Sequence, residues 1–85
     1  MRFYVYLIIS KNLDKYTSYV GYTKNIKKRL ELHNKSIGAK FTRGKKWILA
    51  YSKSYKNKSI AMREEYKLKK NIKLRIKIKK DFINK

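Results

Sequence analysis

The feature that most restricts the fold of this chain is an apolar and aromatic run close to its N-terminus. Residues 2–10 read Arg-Phe-Tyr-Val-Tyr-Leu-Ile-Ile-Ser, and the apolar character is almost continuous from Phe3 to Ile9. β-Branched and aromatic residues favour strands, and a run without polar alternation is typical of a strand covered on both faces. We therefore expect a buried strand at this position.

A second strand is indicated by residues 16–20, Tyr-Thr-Ser-Tyr-Val, which end at Gly21. The segment between the two runs contains Asn12 and Asp14, and both residue types favour turns. Strands joined by a short polar loop pair as an antiparallel hairpin. A third strand is predicted over residues 47–52, Trp-Ile-Leu-Ala-Tyr-Ser.

Two helices are indicated by residues suited to their ends. Asn25 can cap a helix that begins at Ile26, because its side chain can accept a hydrogen bond from a free backbone N–H. We expect Ser36 and Gly38 to close this helix, since glycine accepts the left-handed conformation that ends helices. A second helix is predicted over residues 60–70.

The last part of the chain carries two periodicities at once. Strict alternation of apolar and basic residues is typical of a strand. The apolar members of this alternation are Ile72, Leu74, Ile76 and Ile78. A helical stripe is also present, because the stem of a lysine can cover apolar surface. Its members are Ile72, Ile76, Lys79 and Ile83. The pattern alone leaves strand and helix both open.

Positive charge dominates the composition. The 85 residues include 25 Lys and Arg against five Asp and Glu, a formal net charge of +20. A small domain this basic repels itself, and such chains commonly bind a polyanion. Nucleic acid is the leading expectation, because neutralising phosphates releases condensed counterions. An anionic membrane is the rival, but it requires a long amphipathic helix with a bulky apolar face, and we expect no membrane partner.

Length and residue types narrow the class of protein further. The length predicts a single domain, residues 1–85, with a modest core. The sequence contains no cysteine, which excludes a disulfide framework and a thiolate zinc site. The N-terminal apolar run is too short for a secretory or membrane segment, so we expect an intracellular protein, cytoplasmic or nuclear.

Few catalytic arrangements can be assembled from these residues. His33 is the single histidine, so a metal site with several histidines is excluded. A two-metal nuclease needs a cluster of carboxylates. Of the five carboxylates, Asp14 lies in a predicted loop and Asp81 in the tail. Phosphodiester chemistry would therefore depend on one metal ion at most.

Glu65 is the carboxylate whose position is most informative. It belongs to a stripe at helical spacing that consists of Ala61, Glu65, Leu68 and Ile72. A carboxylate among apolar residues is costly to bury unless it is paired, bound to a metal or open to a cleft. The alternative is a surface ion pair between Glu65 and Lys69, which are one helical turn apart.

Arg29 and His33 lie one turn apart on the first predicted helix. A guanidinium can bind phosphate through two hydrogen bonds and an imidazole titrates near neutral pH, so the pair suits phosphate chemistry. The alternative is a half-buried histidine in the core. Tyr6 and Tyr19 stand on the two paired strands, where one face of the sheet could bring their hydroxyls together.

Five segments, taken in order, resemble the GIY-YIG nuclease family. They are Tyr4-Val5-Tyr6, Tyr19-Val20-Gly21, residues 23–33 with Arg29 and His33, the loop Gly38-Ala39-Lys40-Phe41-Thr42-Arg43-Gly44, and residues 59–69 with Glu65. The resemblance spans about residues 3–80, and the loop is similar to that of a small stand-alone branch related to the nuclease subunit of structure-specific resolvases. Tyr4 stands where the first half-motif has glycine, and an asparagine that some relatives place after the glutamate has no clear match.

The resemblance implies an α+β fold, with a central three-stranded antiparallel sheet flanked by about three helices and a helical tail. The catalytic residues that it implies are Tyr6, Tyr19, Arg29, His33 and Glu65. Glu65 would hold one Mg²⁺ or Mn²⁺ ion, and Arg29 would offset charge on the phosphoryl oxygens. Tyr6 or His33 would accept a proton from the attacking water, which Tyr19 would orient. The sequence does not choose between Tyr6 and His33 as the base.

The function implied by the resemblance is that of a metal-dependent DNA endonuclease acting on duplex, nicked or branched DNA in repair or recombination. We find no reader module such as a zinc finger or helix-turn-helix, so we expect little sequence specificity. The residues expected to contact DNA are Lys24, Lys40, Arg43, Lys45, Lys46 and Lys69. A second basic track is expected from Lys69, Lys70, Lys73, Arg75 and Lys77. The alternatives are a catalytically weak nucleic-acid-binding domain that needs a partner subunit, and a basic structural protein of a ribonucleoprotein.

Overall fold

The computed structural model describes residues 2–84, and one three-stranded sheet organises them. The elements in chain order are β1 (Phe3–Asn12), β2 (Lys15–Thr23), α1 (Ile26–Asn34), a 3-10 turn (Lys40–Thr42), β3 (Ile48–Tyr55), α2 (Lys58–Lys70) and α3 (Ile72–Ile83). The strands are antiparallel in the order β2-β1-β3, which confirms the predicted fold class. None of the helices in this range is long and apolar enough to cross a membrane.

Strands β1 and β2 form the predicted hairpin, and both are longer than the apolar runs indicated. Their register extends from Tyr4 opposite Thr23 to Asn12 opposite Lys15. Backbone pairing continues past the apolar residues because the N–H and C=O groups of the flanking polar residues also form hydrogen bonds in the same register. Leu13 makes the tight turn with a φ of 59°, in the left-handed region.

Strand β1 is buried on both faces, as its continuous apolar run predicted. The core on one face consists of Val5, Leu7, Ile9, Val20, Ala61, Leu68 and Ile78, the last three from α2 and α3. The core on the other face consists of Tyr6, Ile8 and Trp47, with Tyr19 and Leu30 partly buried against it. The alternation along β1 therefore directs Tyr6 away from the main core and toward the side of the sheet that carries α1.

Helix α1 ends earlier than predicted, and a different residue adopts the left-handed conformation. The helix stops at Asn34, whose side-chain amide accepts from the Trp47 N–H (2.6 Å) and donates to the Trp47 carbonyl (3.1 Å). Ser36 has a φ of 63°, whereas Gly38 does not lie in that region, so the prediction for Gly38 was wrong. The Ser36 hydroxyl accepts from the Gly44 N–H at 2.9 Å, which holds the strained residue in place.

The tail forms a helix, α3, and not a strand, and its first turn is capped by a side chain. The side chain of Asn71 accepts a hydrogen bond from the Leu74 N–H at 3.1 Å, so one residue ends α2 and caps α3. The chain changes direction at this point, and Ile72 is 61% exposed. Ile72 therefore does not extend the stripe of Ala61, Glu65 and Leu68, which corrects the prediction.

Candidate active site

An open cleft of about 340 Å³ lies beside the edge strand β2. It is lined by residues of β1, β2, α1 and α2, namely Tyr6, Tyr19, Gly21, Tyr22, Thr23, Arg29 and Glu65. Four of the five residues predicted as catalytic thus face one space. The fifth, His33, has no exposed surface and is not part of the lining; it lies behind Tyr6.

The phenol of Tyr6 occupies space that a glycine leaves open. Tyr6 and Gly21 are directly opposite each other in the β1–β2 ladder. A Cβ atom added to Gly21 would lie 2.5 Å from the Tyr6 hydroxyl oxygen, closer than real Cβ atoms approach other heavy atoms. Tyr6 can therefore hold this position only because residue 21, in the second half-motif, is a glycine.

A chain of hydrogen bonds runs from Tyr6 into the protein. The Tyr6 hydroxyl lies 2.8 Å from His33 Nε2, and His33 Nδ1 lies 2.8 Å from the Thr42 hydroxyl. That hydroxyl donates its single proton to the Ala39 carbonyl at 2.7 Å, so it must accept from an Nδ1–H group. The lone pair of the imidazole then lies on Nε2, and Tyr6 O–H donates to it.

The loop of residues 38–44 holds the imidazole of His33 from the opposite side. A Cβ atom on Gly38 would lie 2.5 Å from His33 Nδ1, so this glycine is needed for close approach and not for its backbone conformation. Thr42 is completely buried, and Trp47 Nε1 donates to its carbonyl at 3.0 Å. Thr42 was not among the predicted site residues, although a threonine inside the matched loop motif is the signal that could have indicated it.

Burial changes the pKa values of Tyr6 and His33 in opposite directions. Burial raises the pKa of the Tyr6 phenol, and the nearby Arg29 guanidinium opposes this increase. Burial, followed by the repulsion of Arg29, lowers the pKa of His33. The net shift of each pKa favours the uncharged form of that group. At neutral pH the pair therefore consists of a protonated phenol and a neutral imidazole, which agrees with the direction of their hydrogen bond.

Arg29 lines the cleft and has no carboxylate partner among the described residues. Across residues 2–84, its Nε is one of two buried side-chain nitrogen atoms without a hydrogen-bond partner, and no carboxylate forms an ion pair with it. Because Arg29 lines the cleft without a carboxylate partner in this range, its positive charge suits an anionic ligand. A phosphate oxygen is the acceptor that best matches a guanidinium.

Glu65 and its neighbour Glu64 have different surroundings. The Glu65 side chain is 18% exposed, lines the cleft, and has its Oε1 3.4 Å from Lys69 Nζ. The predicted alternative, an ion pair with Lys69, is therefore present, but it does not remove the carboxylate from the cleft. Glu64 lies outside the cleft, 3.3 Å from Lys67 Nζ.

The carboxylate of Glu65 fits a hard divalent cation that keeps most of its water. The described part of the chain contains no group of three His, Asp or Glu side chains that could enclose a metal ion. Mg²⁺ and Mn²⁺ do not need such a cage, since Mg²⁺ is often held by one or two carboxylates with waters and phosphate oxygens completing the shell. The donor set is thus suitable for one such ion.

The residues predicted to contact DNA are all exposed, and most lie on one loop. Four of them, Lys40, Arg43, Lys45 and Lys46, lie between α1 and β3. Lys24 follows β2 and lies 5.5 Å from the ring centroid of Phe3. Lys69 lies on α2 beside Glu65. Of these cations, only Lys69 has a described contact with a residue that lines the cleft.

Comparison with known proteins places this chain in a family. The model of the GIY-YIG catalytic domain matches residues 2–78, and the chain belongs to this family. Membership implies nuclease activity. A UPF0213 protein of Oceanobacillus iheyensis is 43% identical over 67 residues, covering 78% of this chain and 74% of the relative. A UPF0213 protein of Staphylococcus haemolyticus is 40% identical and covers 78% of each chain. No solved structure matches. The resemblance identified from the sequence is thereby confirmed.

Proposed function

We propose that this protein is a metal-dependent DNA endonuclease that hydrolyses a phosphodiester bond with little sequence specificity. The observation that supports it most directly is the arrangement of the cleft. A phenol backed by a neutral imidazole, an unpaired guanidinium and a carboxylate face one space on a chain of net charge +20. Hydrolysis of a phosphodiester needs a proton acceptor, stabilisation of phosphoryl charge and stabilisation of the leaving oxygen.

The proton of the attacking water passes through Tyr6. The phenol oxygen accepts this proton while its own proton moves to His33 Nε2, which leaves an imidazolium held by Thr42. Burial raises the pKa of the Tyr6 phenol and lowers the pKa of His33, so in the resting pair the proton stays on the phenol. The two transfers therefore accompany the attack of water and do not precede it.

His33 acts through Tyr6 in this scheme. It has no surface in the cleft, so it cannot take a proton from substrate water directly. Tyr19 lines the cleft and packs edge-on against the imidazole, with 5.3 Å between ring centroids. Its hydroxyl orients the water.

Arg29 binds the non-bridging oxygens of the scissile phosphate. Charge on these oxygens grows as the water attacks, and a guanidinium already fixed in place stabilises it without reorganisation. Glu65 would hold the divalent cation, which when bound stabilises the leaving oxygen as a Lewis acid. The exposed lysines contact other phosphates and position the DNA without reading its sequence.

A plasmid-nicking assay tests this proposal. The purified protein should nick supercoiled DNA with Mg²⁺ or Mn²⁺ and not with EDTA. Arg29→Ala should lose nicking, whereas Arg63→Ala should keep it, because Arg63 lies on the exposed side of α2, 3.8 Å from Glu64. DNA binding without metal-dependent nicking by the wild-type protein would instead favour the binding domain that needs a partner subunit.

A further inference from the structure

A second groove of about 280 Å³ adjoins the cleft. It is lined by Ser18, Tyr19, Val20, Phe41, Lys69 and Arg75. Tyr19 belongs to both linings, and Lys69 of the groove is ion-paired with Glu65 of the cleft. The groove and the cleft therefore lie side by side, with Tyr19 between them.

Phe41 presents an aromatic ring to solvent in this groove. It is 54% exposed, although it lies in the loop that also holds His33. Its ring is nearly parallel to that of Tyr19, at an interplanar angle of 21° and a centroid distance of 6.1 Å, and Trp47 lies 6.5 Å away. The ring is therefore supported from within the protein. Lys45 Nζ lies 5.4 Å from its centroid.

Arg75 supplies an unsatisfied donor in the same groove. Its Nε and that of Arg29 are the two buried side-chain nitrogen atoms that lack a hydrogen-bond partner between residues 2 and 84. No carboxylate in that range forms an ion pair with either arginine. One arginine without a carboxylate partner in that range therefore lines the cleft and the other lines the groove, and each can bind an anion.

We propose that this groove binds an unpaired nucleotide next to the scissile phosphate, with the base stacked on Phe41 and its phosphate on Arg75 and Lys69. Exposed aromatic rings beside cations bind single-stranded nucleic acid by stacking, because every base has a π-face. The bases of an intact duplex are stacked on each other and cannot use the ring. The inference rests on the proposed function and adds to it a preference for DNA with an unpaired segment at the cut.

Base stacking can be tested without cleavage. A forked oligonucleotide carrying 2-aminopurine in the unpaired arm beside the junction is mixed with the Glu65→Gln protein, and the fluorescence decrease that accompanies stacking is recorded. In that background Phe41→Leu should abolish most of the decrease and weaken binding by about fivefold or more, whereas Phe41→Trp should preserve both. An unchanged decrease with Phe41→Leu would overturn the proposal.

The phosphate contact is tested by salt dependence. We expect Arg75→Gln to reduce the slope of log binding constant against log salt concentration, for the forked DNA, by the equivalent of about one phosphate contact. Lys80→Gln removes the same charge from an exposed position of α3 outside the groove and should change it less. Equal effects of the two variants would contradict a specific role for Arg75.

Cleavage by the proteins with intact Glu65 separates this proposal from the one on which it rests. The wild type should cut forked DNA faster than paired duplex, and in Phe41→Leu the ratio of the two cutting rates should fall toward one. If the wild type shows no metal-dependent cutting, the nuclease proposal fails whatever the fluorescence shows. If it cuts and Phe41→Leu cuts both substrates as the wild type does, only the groove proposal fails.

Discussion

The hydroxyl oxygen of Tyr6 lies 2.8 Å from Nε2 of His33, and the two residues are 27 positions apart in the chain. Strand β1 supplies the phenol and helix α1 the imidazole, so the bond forms only when the helix is packed against the sheet. Three other residues determine how the phenol and the imidazole are placed. Gly21 leaves space for the phenol, Gly38 leaves space for the imidazole, and Thr42 fixes the tautomer.

Thr42 should control the tautomer of His33. Thr42→Val keeps the shape of the side chain but leaves the buried Nδ1–H without an acceptor, which should lower the free energy of unfolding by about 1–3 kcal/mol. Loss of the oriented imidazole should slow DNA cutting by about tenfold or more. ¹⁵N NMR of the imidazole, urea denaturation and the cutting rate measure the three effects.

Thr42→Ser is the matched control, because it retains the hydroxyl that accepts from Nδ1–H and donates to the Ala39 carbonyl. It should keep the wild-type imidazole spectrum and most of the activity. A valine variant with the spectrum of the wild type would show that another group fixes the tautomer.

His33 should make the stability of the protein depend on pH in the acidic range. Its pKa in the folded protein is lowered by burial and by Arg29, while in the unfolded chain it is about 6.5. The unfolded state therefore binds a proton that the folded state excludes. The contribution to stability is fully present above about pH 6.5 and is lost as the pH falls below that value toward the lowered pKa.

Urea denaturation at pH 7.5 and pH 5 measures this effect. The wild type should lose more stability between the two pH values than His33→Gln, whose side chain does not titrate. The carboxylates contribute equally to both proteins, so the difference isolates the imidazole. Parallel losses in the two proteins would contradict the assignment.

Gly21→Ala should damage the site more than the fold. The new Cβ would lie 2.5 Å from the Tyr6 hydroxyl, so the phenol must move and its bond to His33 is broken. We expect a loss of stability of about 1–3 kcal/mol from overpacking and a loss of cutting of about 100-fold.

Gly44→Ala provides a comparison with similar cost to stability. Gly44 has a φ of 74° and no atom within 4 Å of an added Cβ, so alanine costs about 1–2 kcal/mol of backbone strain without a steric clash. This variant should retain cutting within a few-fold of the wild type. Both variants are assayed below their unfolding temperatures. If Gly21→Ala and Gly44→Ala lose the same activity, the loss comes from reduced stability and not from displacement of Tyr6.

The sequence predicted the fold well because its strongest local signals agree with the tertiary structure. The continuous apolar run of β1 requires cover on both faces, and Asn25 caps α1 as expected, accepting from the Lys28 N–H at 3.1 Å. The tail was ambiguous because isoleucine and lysine alternate there. The resemblance indicated a helix, and in the structure Leu74, Ile78 and Phe82 pack against the core at helical spacing.

The site was less completely predictable because its contacts join residues that are distant in sequence. Helical spacing indicated Glu65, but no pattern in the sequence reveals that Gly38 is needed for the imidazole or that His33 is fully buried. The loop motif contained Thr42, yet its function depends on a hydrogen bond to a side chain nine residues away. Such contacts depend on packing, which periodicity does not describe.

The neighbouring glutamates of α2 allow a sharp test of the metal-binding role. Glu65→Gln should reduce cutting below detection, because it removes the carboxylate that faces the cleft, while binding measured in EDTA should be unchanged or tighter after loss of a negative charge. Glu64→Gln removes the same charge one residue earlier, where the carboxylate contacts Lys67 and is outside the cleft, and should cut like the wild type.

Fluorescence anisotropy with labelled DNA measures binding by the two glutamate variants, and plasmid nicking over a Mg²⁺ titration measures their cutting. Similar loss of cutting in both variants would indicate a general effect of charge on α2, and normal cutting by Glu65→Gln would exclude Glu65 as the metal ligand.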